Sequence, residues 1–173
     1  MSTLALRRED LWEVNSRVIV YSAIGAALYA VGSQFSFLLP GTGSVSLRPA
    51  FALVTFFGFA FGPIVGLFTG LVGNAIGDQI SGWGLLTSWN WSVAVGLVGL
   101  LTGIFASYLG ERLGSNKLVA AAIVSALATI IGLLFVFTDI IIGTAEDFNA
   151  ALVQNYGPAV ISDVIVVVIL TPI

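Results

Sequence analysis

The sequence contains neither cysteine nor histidine, and these two absences exclude several classes of function. Without cysteine the chain forms no disulfide and offers no thiol nucleophile, and without histidine it has no imidazole base. The usual Cys/His zinc ligands are missing for the same reason. No phosphate loop ending in Gly-Lys and no HExxH or GxSxG motif occurs either. We therefore expect no enzyme, and no cofactor or metal is predicted.

Charged residues are also scarce, since they make up 9% of the 173 residues, against about 25% in soluble domains. Hydrophobic residues make up 58%, and the mean hydropathy is +1.05. This composition predicts an integral membrane protein in contact with the lipid bilayer, with one helical bundle and no sizeable soluble domain. The net charge of −3 gives no indication of a nucleic-acid partner.

Six apolar segments predict an all-α membrane protein, a compact bundle of six transmembrane helices. The expected helices cover residues 18–31, 49–61, 63–80, 85–108 and 118–142, and a sixth starts at Pro158. Residues 1–17 are expected to form a cytoplasmic amphipathic lead-in, and residues 18–173 a single transmembrane domain. The loops include 33–48, whose apolar part 35–39 either enters the membrane or lies as a lid, and the polar stretch 143–157.

The basic residues predict the orientation of the bundle. Six helices put both termini on the same side, and five of the six basic residues fall there: Arg7, Arg8, Arg17, Arg112 and Lys117. Arg48 lies on the other side. Because cytoplasmic loops carry an excess of Lys and Arg, both termini are predicted in the cytoplasm and the loop around Arg48 outside.

Small residues recur every four positions on three of the predicted helices. The third helix has Gly62, Gly66 and Gly70, the fourth has Gly96, Gly99 and Gly103 at a similar spacing, and the first has the pairs Ala23/Ala27 and Ala26/Ala30. Such stripes let membrane helices approach closely. The alanine face predicts either packing inside the bundle or docking onto a separate membrane partner.

Polar and aromatic residues from different helices are predicted at one level of the bundle, at its outward end. They are Arg48, Asn74, Asp78, Trp83, Trp89, Asn90, Asn155, Tyr156 and Asp163. Asn74 and Asp78, four residues apart, share a helix face. An ionisable group such as Asp163 inside a membrane helix costs about 2.5–3.5 kcal/mol on insertion scales, so it usually faces a cavity or a partner. The set predicts a small-molecule pocket; the alternative is a set of water-exposed helix ends with an aromatic belt.

Trp89 and Trp91 are not expected to face this pocket together. Two residues advance about 200° around a regular helix. Trp91 is predicted to face lipid or a neighbouring helix.

Three stretches resemble the substrate-binding S components of energy-coupling factor (ECF) transporters, and the riboflavin-type subgroup in particular. They are SAIGAALYAVGS, the core from RPAFALVTFFGFAFGPIVG to GDQISGWG, and NYGPAVISD before the last helix. The resemblance covers nearly the whole chain. It implies a prokaryotic plasma-membrane protein, multi-pass, that captures a vitamin or related micronutrient at the extracellular side.

The resemblance also implies partners and roles. S components dock onto a membrane coupling (T) subunit attached to two ATP-binding-cassette ATPases, which makes Ala23, Ala27 and Ala30 docking candidates. The loop 33–48 becomes a lid over the ligand, and the regions 83–90 and 155–163 become pocket walls. ATP hydrolysis by the partners would drive the transport.

The residues themselves leave the ligand and the energy source open. Trp83 and Trp89 would suit a flat aromatic ring, and carboxylates and asparagines would suit hydroxyl and N–H groups. Riboflavin, ranked first, fits this description, as do a pterin, a pyrimidine precursor of thiamine or the edge of a cobalamin. The alternative function is a self-sufficient small transporter or channel, coupled to protons through Asp78 or Asp163.

Overall fold

The computed structural model describes residues 11–109 and 116–172, which form six successive helical segments and one small hairpin. In chain order the segments are α1 (Ser16–Gly32), β1 (Phe37–Leu38), β2 (Ser46–Leu47), α2 (Phe51–Phe61), α3 (Pro63–Ile80), α4 (Trp89–Leu109), α5 (Lys117–Gly132, continued by the 3-10 stretch Leu133–Phe137 and the turn Thr138–Ile141) and α6 (Phe148–Leu170). The all-α membrane class and the six helices are confirmed.

Three of these helices, α4, α5 and α6, are long and apolar enough to cross a membrane, whereas α1 and α2 are apolar but shorter. The orientation remains a prediction. Arg7, Arg8 and Arg112, on which it partly rests, lie outside the described residues, as does most of the expected lead-in 1–17.

The helix starts follow local sequence signals. The side chains of Asn15 and Asp147 each accept a hydrogen bond from the backbone N–H three residues later, and Asn116 does so two and three residues later. These side chains satisfy N–H groups that the first turn of a helix leaves free. Between α2 and α3 the chain turns at Gly62, whose φ of 100° suits glycine, and Pro63 opens α3.

The glycine stripes on α3 and α4 bring the two backbones together, as their spacing predicts. A Cβ atom on Gly66 would collide with the backbone of Gly99, and one on Gly99 with that of Gly66. A Cβ on Gly70 would likewise meet the backbone of Val95, and one on Gly103 that of Pro63. Helices α3 and α4 therefore form a close-packed pair that fixes the residues at their ends.

Two predicted boundaries are wrong, and both lie next to the polar end of the bundle. Helix α4 begins at Trp89 and not at residue 85, because residues 85–88 form a turn in which the N–H of Leu85 donates to Gln79 Oε1 at 2.9 Å. Helix α6 begins at Phe148, ten residues before the expected Pro158. Its first part contains a π-helical stretch, Ala151–Tyr156, which ends two residues before Pro158. The expected loop 143–157 is thus mostly helix.

The loop between α1 and α2 is folded as a short hairpin. Phe37 pairs with Leu47 and Leu38 with Ser46 in antiparallel register. The connecting turn is held by Thr42, whose hydroxyl donates to Leu39 O at 2.8 Å and accepts from Val45 N at 3.1 Å. This hairpin lies beside the polar ends of the helices and supplies part of the site described next.

Candidate functional site

Two adjoining cavities open between the hairpin and the polar ends of the helices, and together we call them the cleft. Their volumes are about 390 Å³ and about 120 Å³. Both are lined by Gly43, Ser44, Trp83, Ser88 and Trp91, which therefore form their shared wall. The larger volume falls within the range of small-molecule sites.

Asp139, near the end of α5, is the centre of a hydrogen-bond cluster on the wall of the larger cavity. It is 2% exposed. Its Oδ1 accepts from Asn90 Nδ2 and from Thr144 Oγ1, both at 2.8 Å. Its Oδ2 accepts from Asn155 Nδ2 at 2.8 Å and from Trp91 Nε1 at 3.2 Å. One carboxylate thus joins α4, α5, α6 and the turn between the last two.

The π-helical stretch of α6 connects this cluster to the hairpin. Pro158 has no N–H to donate to the carbonyl of Gln154 four residues earlier. That carbonyl accepts instead from the N–H of Gly43 in the hairpin, at 2.8 Å. A Cβ on Gly43 would collide with the side chain of Asn155, so a larger residue at this position would require Asn155 to move. π-Helical turns are often found at functional sites, and this one places Asn155 against Asp139.

Asn74 on α3 is the centre of a second cluster, behind the smaller cavity. Its Oδ1 accepts from Arg48 Nη1 at 2.9 Å and from the Tyr29 hydroxyl at 3.3 Å. Its Nδ2 donates to Asp78 Oδ2 at 3.0 Å and to Ser92 Oγ at 3.1 Å. An amide group has two donor hydrogens and two acceptor lone pairs, so these four bonds satisfy Asn74 completely. It positions its neighbours and has no capacity left for a ligand.

Among the residues that the structure describes, three ionisable side chains line the smaller cavity: Arg48, Asp78 and Asp163. Arg48 is held through Asn74, and so is one oxygen of Asp78. Asp163 differs from them, since its Oδ1 is buried without a hydrogen-bond partner in the described part of the chain. A buried polar atom without a partner is costly, which sets Asp163 apart from the two side chains that Asn74 holds.

Most of the predicted pocket residues come together at this cleft. Arg48, Asp78, Trp83, Asn90, Asn155 and Asp163 line it. Asn74 lies behind it, and Tyr156 turns away, because its hydroxyl donates to Ile130 O at 2.9 Å.

The two tryptophans of α4 are placed opposite to the prediction. Trp91 lines both cavities, whereas Trp89 lines neither. Trp89 packs edge-on against Phe135 and is 43% exposed. The expectation that the two indoles point in different directions holds, but the hydrogen bond from Trp91 to Asp139 decides which one enters the cleft.

Asp139 was missed as a site residue, because in sequence it reads as an acid at a water-exposed helix end. The sequence does contain a signal for it: apart from Lys117, Asp139 is the only charged residue in the stretch 117–142. A single acid in such an apolar segment predicts a buried partner.

The alanine residues of α1 lie on two faces. Ala23 and Ala27 are exposed, whereas Ala26 and Ala30 are buried. A Cβ on Gly73 of α3 would approach the backbone of Ala26, which shows that this pair packs against α3. The expectation that Ala30 is a docking residue is therefore corrected, and the exposed small-residue surface consists of Ala23 and Ala27.

The cleft has the chemistry of a binding site for a small polar or aromatic molecule. Two indole rings offer flat apolar surfaces, and carboxylate, amide and guanidinium groups offer hydrogen-bond partners of both kinds. Within residues 11–109 and 116–172, no group of three or more acidic side chains could hold a metal ion.

Comparison with known proteins gives a match over most of the chain. The family model described as "ECF-type riboflavin transporter, S component" matches residues 13–173. A UPF0397 protein of Vibrio atlanticus (strain LGP32) is 39% identical over 75 residues, which are 43% of this chain and 41% of that protein. The match thus spans about two fifths of the length of this curated relative. No solved structure matches the chain.

Proposed function

Because the chain belongs to the family of S components of ECF-type riboflavin transporters, we propose that it captures riboflavin in the cleft, at the extracellular side of the plasma membrane. S components are substrate-binding membrane proteins and not enzymes. The proposal concerns the ligand, the side of the membrane and the way in which uptake is driven.

The observation that carries the ligand proposal is the position of two indole rings on one wall of the cleft. Trp83 and Trp91 line both cavities, and the ring of Trp91 is fixed by its hydrogen bond to Asp139. A fixed indole suits a flat ring such as that of a flavin, because offset stacking adds about 0.5–1.5 kcal/mol to the burial of apolar area.

The polar groups of the cleft complement the rest of such a ligand. Arg48 supplies N–H donors, and Asp78 and Asp163 supply acceptors, on the wall of the smaller cavity. The ring edge of riboflavin carries carbonyl acceptors next to an N–H donor, and its side chain carries hydroxyl groups. Asp163, which lines this cavity, is the acceptor that we assign to the ligand N–H.

Transport is proposed to depend on partner proteins. The exposed pair Ala23 and Ala27 offers a smooth helix surface on which a membrane coupling (T) subunit could pack closely. Two ATP-binding-cassette ATPases bound to that subunit would supply the energy, since this sequence contains no phosphate loop.

The ligand is tested by titrating the detergent-purified protein with riboflavin and following the quenching of flavin and tryptophan fluorescence. We expect saturable binding at submicromolar concentration, and weaker binding by Trp91→Phe than by the control Trp89→Phe. The same titration with a pterin, cobalamin, thiamine and its pyrimidine ranks the alternatives. Saturable binding of one of these and not of riboflavin would refute the ligand proposal.

The energy source is tested by uptake into proteoliposomes. We expect accumulation only when the coupling subunit, both ATPases and ATP are present. Accumulation by the isolated chain in a proton gradient would refute this part and favour the self-sufficient transporter, with Asp78 or Asp163 carrying the proton.

A further inference from the structure

The exposed apolar face of α1 continues past the end of the helix. Ile24, Leu28 and Val31 are exposed at intervals of four and three residues, which places them on one side of the helix. Phe35 follows four residues after Val31, and the chain still turns there, because the N–H of Phe35 donates to Gly32 O at 3.1 Å. Since Phe35 is 74% exposed, this apolar face reaches into the loop that carries the hairpin.

Helix α3 has a similar exposed face that continues into the turn before α4. Ile76 and Ile80 are exposed four residues apart, and Leu86 in the turn is 72% exposed. Gln34 connects this turn to the hairpin loop, because its Oε1 accepts from the Ser81 hydroxyl at 3.0 Å. The two apolar extensions therefore lie side by side, and we call them the apolar rim. Its exposed members are Phe35, Phe37, Leu38, Ile80, Leu85 and Leu86.

The two helices that lead to the rim are too short to cross the hydrocarbon core of a bilayer. Helix α1 has 17 residues and α3 has 18. At a rise of 1.5 Å per residue these helices span about 25 and 27 Å, whereas the hydrocarbon core is about 30 Å thick. The rim therefore falls at the depth that the helices leave uncovered, where the acyl chains meet the headgroups.

The composition of the rim favours lipid over water as its neighbour. Neither residues 32–47 nor residues 79–89 contain a charged side chain. Surfaces that face water rarely expose contiguous apolar patches of large area. Trp89 begins α4 directly after the turn, is 43% exposed and lines neither cavity. Tryptophan is enriched at membrane–water interfaces, which is the level inferred for the rim.

We propose that the apolar rim is a membrane-interface surface, and that its partner is the boundary between acyl chains and headgroups in the leaflet on that side. The rim does not go deeper, because the sheet in the described part of the chain has only two strands. Each strand keeps one edge without a strand partner, and unpaired backbone groups are costly in hydrocarbon. The same hairpin lines the cleft through Gly43 and Ser44, so the rim holds one wall of the cleft at the bilayer surface. This inference requires only a membrane protein and does not depend on the ligand.

The absence of cysteine allows a single thiol to be placed at each position of interest. Phe35→Cys and Leu86→Cys report on the two segments of the rim. Ile24→Cys, on the exposed face of α1 near its middle, is the lipid control. Glu146→Cys, in the polar turn before α6, is the water control, since this position is exposed and natively charged.

Each variant is labelled with bimane and reconstituted into liposomes as the full chain. Fluorescence quenching is measured with phospholipids that carry a nitroxide either near the headgroup or deep in the acyl chain, and with iodide on both sides of the membrane. Leu38→Cys and Leu85→Cys repeat the measurement at neighbouring rim positions, so a variant that fails to fold does not prevent the test.

We expect the rim labels to be quenched at least twofold more by the shallow nitroxide than by the deep one. The order should be reversed at position 24, and at position 146 iodide alone should quench. Quenching of the rim labels by iodide alone would overturn the proposal, because the rim would then face water. Protection from both lipid and iodide would also overturn it and would indicate that a second copy of the chain covers the rim. Stronger quenching by the deep nitroxide would refute the interfacial depth, and lipid contact at only one of the two segments would refute a shared surface.

Discussion

Replacing Asp139 by asparagine is expected to weaken the fold at the wall of the cleft. The variant keeps the shape of the side chain but puts an NH2 group in place of one acceptor oxygen. On the Oδ2 side that group would face the indole N–H of Trp91, which cannot accept. On the Oδ1 side the hydroxyl of Thr144 can rotate and accept, and the amide of Asn90 can turn. The new amide is therefore expected to keep its oxygen toward Trp91.

The magnitude follows from the four hydrogen bonds that Asp139 accepts. Bonds to a charged group contribute about 1.5–3 kcal/mol each and neutral ones about 0.5–1.5, so four bonds lose roughly 4 kcal/mol in total. Removing the charge also removes part of its desolvation cost, which offsets some of this loss. We expect the free energy of unfolding to fall by about 2–3 kcal/mol, or roughly 4–12 °C in Tm for a chain of this length.

The assay is thermal unfolding of the detergent-purified protein, followed by circular dichroism. Asp147→Asn is the matched control, since Asp147 is exposed and accepts a single hydrogen bond, from Ala150 N at 2.7 Å, that an asparagine cap can also accept. We expect the control to change Tm by less than about 2 °C. Equal shifts in Asp139→Asn and Asp147→Asn would refute the view that Asp139 holds this wall together.

Three further predictions concern the helix packing, the docking surface and the ligand. Gly99→Ala should lower the free energy of unfolding by about 1–3 kcal/mol in thermal unfolding, because the new methyl group meets the backbone of the neighbouring helix. Gly96→Ala should cost less, because its methyl group first meets side-chain carbons. Equal costs would contradict the close backbone contact. Ala27→Trp should abolish uptake by the full complex while ligand binding is kept, whereas Leu28→Trp on the neighbouring surface should not; normal uptake with the first variant would exclude docking there. Asp163→Ala should weaken ligand binding at least tenfold, about 1.4 kcal/mol, in the fluorescence titration, and an unaltered affinity would return Asp163 to a structural role.

The sequence predicts the features of this fold that depend on local composition and period. The six apolar segments and the glycine stripes belong to this group. Gly66 and Gly99 fall at the contact between α3 and α4 because a membrane helix pair without side chains in the way can close until the backbones touch. Asp78 and Asp163 can be predicted as pocket residues for a similar reason. An ionisable group in an apolar segment is costly in lipid, so it usually faces a cavity or a partner.

The rest of the site depends on contacts between residues distant in the chain. Asp139 is the centre of a hydrogen-bond cluster only because donors on α4 and α6 reach it, and no local sequence pattern indicates which residues these donors are. The choice between Trp89 and Trp91 fails for the same reason. Helical geometry requires the two rings to diverge, but the acceptor that selects one of them lies 48 residues away in sequence.

Pro158 shows how a local sequence signal for a helix start can mislead when the interacting residue is distant in the chain. A proline after glycine predicts the start of a helix, because its missing N–H costs nothing in the first turn. Here the helix is already under way, and the missing N–H leaves the carbonyl of Gln154 free inside it. Gly43 uses that carbonyl to attach the hairpin to α6 at the edge of the cleft. The proline therefore both misleads the sequence-based placement of the helix start and frees the carbonyl through which the hairpin is bound to α6. Because the N–H of Gly43 pairs with that carbonyl, the missing hydrogen bond of Pro158 does not leave the carbonyl of Gln154 unpaired.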